Sequence, residues 1–413
     1  MTRINGGFLC LHLGAGFHSS NKKDEYKKLC EKACILGAEL LNQNKTCVEI
    51  AATVTSFLEE SSLTNAGFGS NLTLEGTVEC EAAIMDSQHG NFASVGCVTG
   101  VKNPIKVAEM MLKDQTEPSP FGLVSPMVIV GSAVNKKAKQ HGLVTLNPDA
   151  LISEKACRVN KKYRKMLGDQ AEESSEGIKE IQGKNCSDCS SNIVKSMHVL
   201  EDQSSVKNRE TDEPCLKKRK STTFYESGVK SLMHDTIGVI CVDSSLNVSS
   251  AISSGGLVMK QPGRLGPCTQ YGCGCWSHCY NEDTTIACCT SGTGEAIIQT
   301  NLAKQASEFL FKHSTDIVRL DNFVKNEFVN SNYLPASLEQ RLCGIMMVIL
   351  RKCGYESYVD FHVTHSTDSF CIGYIAAGHD KPKFLLSRLN QNISTGEKNE
   401  VVTQGFHFSL FHK

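Results

Sequence analysis

The sequence predicts an α/β chain of the α+β kind, with two sheets packed together and helical layers outside. Three observations point there. Apolar runs of strand length alternate in blocks with segments of helical spacing: strands near the N-terminus, then helices, more strands, helices, and a strand-rich second half. The 413 residues are 40% hydrophobic, enough for one large core or two domains. Residues 237–254 read as strand, turn, strand directly after a long polar stretch.

The elements follow in order. Residues 8–13 form an apolar strand running into Gly14-Ala15-Gly16, a turn where backbone can come close to backbone or ligand. Residues 26–41 and 48–58 carry apolar side chains at helical spacing, and 65–71 is a Gly/Asn loop. Residues 72–78 and 82–85 flank a turn at Glu75-Gly76 and predict a hairpin; 95–99 adds a strand. A helix is expected over 104–112, with Pro104 in its first turn, and another over 127–139. The stretch 155–165 is a basic helix. Residues 172–220 are rich in Ser, Glu, Lys and Asp, the composition of a flexible insertion. After the 237–254 hairpin come Ser253-Ser254-Gly255-Gly256, Pro262-Gly263-Arg264-Leu265-Gly266 and the Gly-rich Tyr271-Gly272-Cys273-Gly274-Cys275-Trp276. A strand over 286–290 ends in Ser291-Gly292-Thr293-Gly294-Glu295, and 295–311 is an amphipathic helix. Strand, Gly turn and helix together aim backbone N–H groups at an anion. Strands over 343–350, 358–363 and 370–375 close the chain.

Composition excludes some functions. A net charge of −1 argues against direct nucleic-acid binding by bulk electrostatics. The 20 cysteines form no paired framework, and the chain is far larger than scaffolds that need one, so a reducing compartment is expected. No signal peptide and no apolar run of about 20 residues is present, so no membrane partner is expected. The Asn-x-Ser/Thr triplets at Asn71 and Asn392 then carry no sugar. Lys217-Lys218-Arg219-Lys220, with Lys161-Lys162-Tyr163-Arg164-Lys165, suits a nuclear import receptor, giving a nuclear and cytoplasmic protein. Taken alone, such a cluster is a solvated charge run. Cys273, Cys275, His278 and Cys279 lack paired C-x₂-C knuckles, and Cys186 and Cys189 lie in the insertion; no metal and no cofactor is expected.

The chemistry centres on Asp235-Thr236. A Thr sits behind an Asp at the mouth of an apolar strand. If the bond between them breaks, Thr236 gains an α-amine beside its own hydroxyl, a built-in general base for a nucleophile. The plainer reading makes Thr236 a β-former and Asp235 a turn residue.

Several separate stretches, in the same order, resemble the N-terminal-nucleophile asparaginase family over nearly the whole chain outside the insertion. Asn65-Ala66-Gly67 with Gly69-Ser70, Glu79 and Met85-Asp86 resembles its first signature. Asp235-Thr236 with Gly238, Ser253-Ser254-Gly255-Gly256, Arg264 and Gly266 resembles the catalytic one. Ser291-Gly292 with Gly294-Glu295 resembles the substrate-binding turn. The resemblance implies a four-layer αββα sandwich, one domain over 1–413. It would be processed into an α segment 1–235, carrying the basic insertion at about 154–230, and a β segment 236–413. It implies Thr236 as nucleophile and Ser254 as the residue that orients it. Arg264 would grip a substrate carboxylate, and Ser291 and the Gly292 N–H, beside Gly294, would meet the developing oxyanion. Asn65 would support cleavage or simply occupy a turn. A homodimer of processed αβ units is also implied.

Within the family the chain most resembles the threonine-aspartase branch, through Asp235, through Pro262-Gly263-Arg264 with 271–276, and through the charged insertion. That branch implies an autoprocessing endopeptidase cutting protein substrates after aspartate, among them nuclear transcription or chromatin regulators. Asparaginases commonly carry an Asp three residues after the substrate-binding Arg; here that position is Pro267. The alternatives are an L-asparaginase or isoaspartyl dipeptidase, and an unprocessed scaffold without activity. Glu81, where the family usually has Asp, and Leu13, where a small residue is usual, read as scaffold changes.

Overall fold

Strand β1 (Phe8–Gly16) is buried from end to end, and its residues alternate between two apolar layers. Phe8 and Cys10 enter one, Leu9 and Leu11 the other. A strand covered on both faces reads as a continuous apolar run, which is what 8–13 is. The computed structural model describes residues 6–117, 120–176, 236–313, 317–338, 340–379, 381–389 and 400–410.

Helices α1 (Lys23–Asn42) and α2 (Cys47–Glu59) follow β1. A capping box starts α2: Thr46 Oγ1 accepts from the Glu49 N–H at 3.3 Å, and Glu49 Oε2 accepts from the Thr46 N–H at 3.2 Å. Next come β2 (Cys80–Asp86), β3 (Phe92–Val98), α3 (Pro104–Asp114), β4 (Val128–Val130), α4 (Ser132–Gln140) and α5 (Glu154–Glu176). The later half supplies β5 (Ile237–Val242), β6 (Val248–Ser254), β7 (Cys275–Asn281), β8 (Thr284–Gly292), α6 (Gly294–Thr300), α7 (Leu302–His313) and α8 (Ile317–Phe323). A π-helical turn, Val324–Val329, precedes β9 (Cys343–Cys353), β10 (Glu356–His365), β11 (Ser369–Ala376), β12 (Lys383–Arg388) and β13 (Val402–Leu410).

Eight strands make one sheet in the order β12-β11-β1-β5-β6-β2-β3-β4; five make the other, β13-β10-β9-β8-β7. Phe8, Ile240, Ile252 and Met85 of the first sheet share a core with Ile286, Cys288, Met347 and Phe361 of the second. Ala303, Leu310 and Phe323 of α7 and α8 close that core from the other side. Leu9, Val239, Ala251 and Ile84 pack instead against Ala33, Ile50, Val54 and Ile105 of α1 to α3. The layers run helix, sheet, sheet, helix, the αββα sandwich expected.

Several local expectations are corrected. Gly14-Ala15-Gly16 is no turn but the end of β1, irregular in register between His12 and Ala15, with Gly14 at φ 114°. Residues 72–78 close only a single bridge, Leu72 to Val78, and β2 pairs with β3 and β6 instead. The helix expected over 127–139 begins as β4, which pairs in parallel with β3; Gly131, at φ 63°, turns the chain into α4. The 295–311 helix breaks at Asn301, which is left-handed at φ 47°. The first part of the insertion is the helix α5, docked where Asn160 Nδ2 donates to the Thr73 carbonyl (3.2 Å) and Arg164 Nη2 to that of Leu74 (2.6 Å). Cys186, Cys189, Lys217 to Lys220, Asp235 and Asn392 lie outside the described residues. No helix among the described residues is long and apolar enough to cross a membrane.

Candidate active site

The β5–β6 hairpin assembles the first half of the site. Antiparallel pairing sets Ile237 opposite Ser253, so the same register brings Thr236 opposite Ser254 at the end of the ladder. Thr236 Oγ1 donates to Ser254 Oγ at 3.0 Å. Both residues are buried, and a β-branched side chain has few rotamers to choose from, so the hydroxyl is held in place. Ser254 Oγ also accepts from the Gly256 N–H at 3.0 Å.

Asn65 braces that turn. Its Oδ1 accepts from the Asn71 N–H (2.8 Å), its Nδ2 donates to the Gly256 carbonyl (2.9 Å), and its own carbonyl accepts from the Gly255 N–H (2.8 Å). Gly255 has to be glycine: a Cβ there would stand 2.5 Å from Asn65 Oδ1 and from Ser70 Cβ. Asn65 is not a left-handed turn residue. It holds the Gly255–Gly256 backbone, and Ser254 with it.

The second half is cationic. Arg264 Nε and Nη2 both donate to one oxygen of Glu295, Oε1, at 3.0 and 2.7 Å. That fixes the guanidinium plane and leaves Nη1 without a partner in the ion pair. Gly294 permits the approach, since a Cβ there would lie 2.6 Å from Arg264 Nη2. Glu81 lies behind the arginine, fully buried; its Oε1 accepts from the Gly266 N–H at 2.8 Å and stands 3.8 Å from Lys260 Nζ. Lys260 Nζ donates to the Glu79 carbonyl at 2.7 Å. Burial raises the Glu81 carboxyl above its ordinary value, against the opposing pull of Lys260, the Gly266 N–H and Arg264.

Thr236, Ser254, Asn65, Arg264, Gly292 and Gly294 line one small pocket, with Glu81 and Pro267 in its wall. Ser291 is not in that wall; its hydroxyl accepts from the Ala15 N–H at 3.1 Å and ties β8 to the irregular end of β1. Gly292, at φ 144°, has no room for a side chain, because a Cβ would fall 2.1 Å from the Leu342 carbonyl oxygen. Beneath Thr236, His12 is packed against Gly238 and the Phe370 ring; burial lowers its pKa to about 3, against the opposing pull of a backbone hydrogen bond to Thr236. Among the described residues no group of three or more His, Cys, Asp or Glu side chains could hold a metal ion. Cys275 and Cys279 fall on β7, a strand that the Gly/Cys pattern concealed.

Sequence reasoning set Glu81 aside as scaffold and gave no role to Lys260 or Glu295. A signal for the first was present. One carboxylate in the run Cys80-Glu81-Ala82-Ala83-Ile84 is rarely tolerated unless something pairs with it. Chemically, the pocket offers two hydroxyls in contact and a guanidinium lining the same space.

A family model described as asparaginase matches residues 6–315. The chain is 23% identical over 376 residues to the "Probable isoaspartyl peptidase/L-asparaginase 2" of Arabidopsis thaliana, covering 89% of this chain and 98% of that protein. It is 25% identical over 304 residues to the plant-type L-asparaginase of Pyrobaculum calidifontis, covering 73% and 79%. Over 293 residues it is 25% identical to the isoaspartyl peptidase/L-asparaginase of Mus musculus, covering 71% and 69%.

Proposed function

The chain belongs to the asparaginase family of N-terminal-nucleophile hydrolases, and from that premise we propose that it is an autoprocessing threonine endopeptidase that cuts protein substrates after aspartate. The observation that carries this reading is the 3.0 Å contact between Thr236 Oγ1 and Ser254 Oγ in the same pocket as Arg264. In processing, the Thr236 hydroxyl attacks the Asp235 carbonyl carbon and the peptide C–N bond breaks. The nitrogen takes the proton, and water then hydrolyses the ester. In turnover the freed amine accepts the hydroxyl proton, the hydroxyl attacks the substrate carbonyl, and Arg264 holds the aspartate side chain. Two features support aspartate-directed proteolysis: Asp235 precedes the nucleophile, and Pro267 stands in the pocket wall where asparaginases commonly carry Asp. Targets in the nucleus, import through Lys217 to Lys220, and a homodimer of processed units are parts of the same proposal.

A second reading, an L-asparaginase or isoaspartyl peptidase, is supported by the names of the relatives. N-terminal sequencing and a denaturing gel test the first step: two bands are expected, one starting at Thr236, and a single band for Thr236→Ala. Release of fragments from a peptide with an internal Asp-Gly bond, against ammonia from asparagine, separates the two substrate classes. A cut that persists in Thr236→Ala sinks autoprocessing.

A further inference from the structure

Strand β4 ends one side of the eight-stranded sheet, and among the described residues no strand lies beyond it. It pairs in parallel with β3, Ser94 opposite Val128 and Gly96 opposite Val130, so both valines share a face with Ser94 and Gly96. Over β3 that face is covered by residues 265–271. Leu265 Cδ2 and Thr269 Cγ2 stand 2.5 and 2.8 Å from the point a Gly96 Cβ would occupy, and Ser94 Oγ donates to the Thr269 carbonyl at 3.1 Å. The Tyr271 ring meets that of Phe92 edge-on, their centroids 5.4 Å apart. The cover stops at β3. Val130 Cγ1 is 3.5 Å from the same Gly96 point, yet Val128 and Val130 are each 45% exposed. β4 is thus the floor of an apolar shelf with the 265–271 segment as its wall, and the wall begins at the residue after Arg264.

The backbone of β4 is half used. The Ser94 N–H donates to the Met127 carbonyl at 2.8 Å, and the Gly131 N–H to that of Gly96 at 2.9 Å. Alternation then turns the N–H and C=O groups of Val128 and Val130 toward the open edge. Apolar exposure is concentrated just before the strand. Phe121, Leu123, Val124 and Met127 are all exposed, Phe121 completely and at a left-handed φ of 59° that a bulky residue rarely adopts. No charged side chain occurs from residue 118 to 135. An open edge beside an apolar face takes an extended, uncharged segment by strand addition. The three residues of β4 offer about 10 Å of edge. That is little for two free copies of this chain, since a stable interface buries about 800 Å² on each side. It suffices for a chain already anchored at Arg264, because the second contact is then intramolecular. We propose that β4 is an exosite that adds, as a further strand, an uncharged apolar segment of the protein substrate flanking the aspartate to be cut. This rests on the proteolytic reading above.

Three peptides read it on the full-length wild-type protein. One is a short Asp-Gly peptide. The second extends it by about six alternating Val and Thr residues, about 20 Å of strand, and the third by Ser and Glu over the same length. Each extension is placed before the aspartate or after the glycine. Each peptide is also made with a reduced, uncleavable Asp-Gly link, for binding by fluorescence anisotropy. The Val/Thr peptide is expected to bind about tenfold tighter than the other two, with kcat/KM rising alike. The placement that shows the gain tells which flank reaches β4. Val128→Pro removes an outward N–H and spares the β3 ladder, and Val130→Lys puts a charge on the floor of the shelf. Either should bring the gain below about twofold and leave the short peptide unchanged. N-methylation of alternate extension residues should abolish the gain in one of the two registers, and it needs no variant of the protein, so a variant that fails to fold does not decide the matter. Equal binding of all peptides, or a gain that survives N-methylation in both registers or survives in a variant that folds, overturns the proposal. A gain in binding with no cleavage of any peptide sinks the proteolytic reading and leaves the exosite standing. Cleavage of every peptide at one rate, with no gain in binding, does the reverse.

Discussion

The hydroxyls of Thr236 and Ser254 stand 3.0 Å apart because the last rung of the β5–β6 ladder faces them across the hairpin. Ser254 already accepts from the Gly256 N–H, so its oxygen is fixed from behind where Thr236 meets it. The rotamer of Thr236 is thus decided by a backbone turn, not by a flexible partner.

Removing that partner should affect chemistry more than binding. For Ser254→Ala we expect kcat to fall by roughly 10²-fold, the scale of one positioned proton-handling group, with KM within about threefold. Steady-state kinetics on an Asp-Gly peptide check this; a rise in KM at constant kcat would contradict it.

Arg264 depends on Glu295 for its orientation. One half-exposed carboxylate holds two guanidinium nitrogens, an arrangement open to salt and solvent. Glu295→Gln should raise KM by about tenfold and make it less sensitive to ionic strength. Arg264→Lys, which cannot offer a planar fork, should raise KM by about 10²-fold or more. Steady-state kinetics at low and high salt read both.

Gly238→Ala should be damaging, two residues after Thr236. The new Cβ would meet His12 Nε2 at 2.3 Å and Cys289 Cβ at 2.8 Å, between two packed sheets. Overpacking of this kind costs about 1–3 kcal/mol. A lowered melting temperature with slowed appearance of the Thr236-starting fragment is the expected result. Wild-type processing in a destabilised protein would show that the two are uncoupled.

Glu59 sets a pH dependence of stability. It accepts from Ser253 Oγ (2.7 Å) and from the Ile105 N–H (3.2 Å), while burial raises its carboxyl from 4.5 to about 8. Between those values the folded chain holds a proton that the unfolded chain has released. Its contribution is therefore fully present below about pH 4.5 and is lost as pH rises through about 8, at no more than about 1.4 kcal/mol per pH unit. Glu59→Gln cannot ionise. Denaturant unfolding across pH 5–9 should show a smaller decline in the variant than in the wild type, and an unchanged slope would contradict it.

The hairpin carrying Thr236 was legible because its two apolar runs are separated by a turn, Asp243-Ser244-Ser245-Leu246-Asn247, whose residue types leave little choice. The Gly-rich landmarks were legible for the same reason, since close approach admits nothing larger. What escaped depends on partners distant in sequence. Val128-Ile129-Val130 is a strand only because β3 offers an edge. Cys275–Asn281 pairs with β8, although its cysteines and histidine invite a metal reading. Asn301 breaks a helix whose apolar spacing runs on unbroken. That the Ser291 hydroxyl accepts from the Ala15 N–H is equally invisible locally, since the two residues lie far apart in the sequence.

The strand order of the larger sheet has one more result. Across it, β11, β5 and β6 come from beyond residue 236, and β1 and β2 from before it, in the sequence β11-β1-β5-β6-β2. A break at 235–236 therefore yields two polypeptides laced through each other, with β1 clasped on both sides by its cleaved companion. Neither could leave without unzipping three full seams. The nicked protein should melt as one body, and the halves produced separately should not find each other readily.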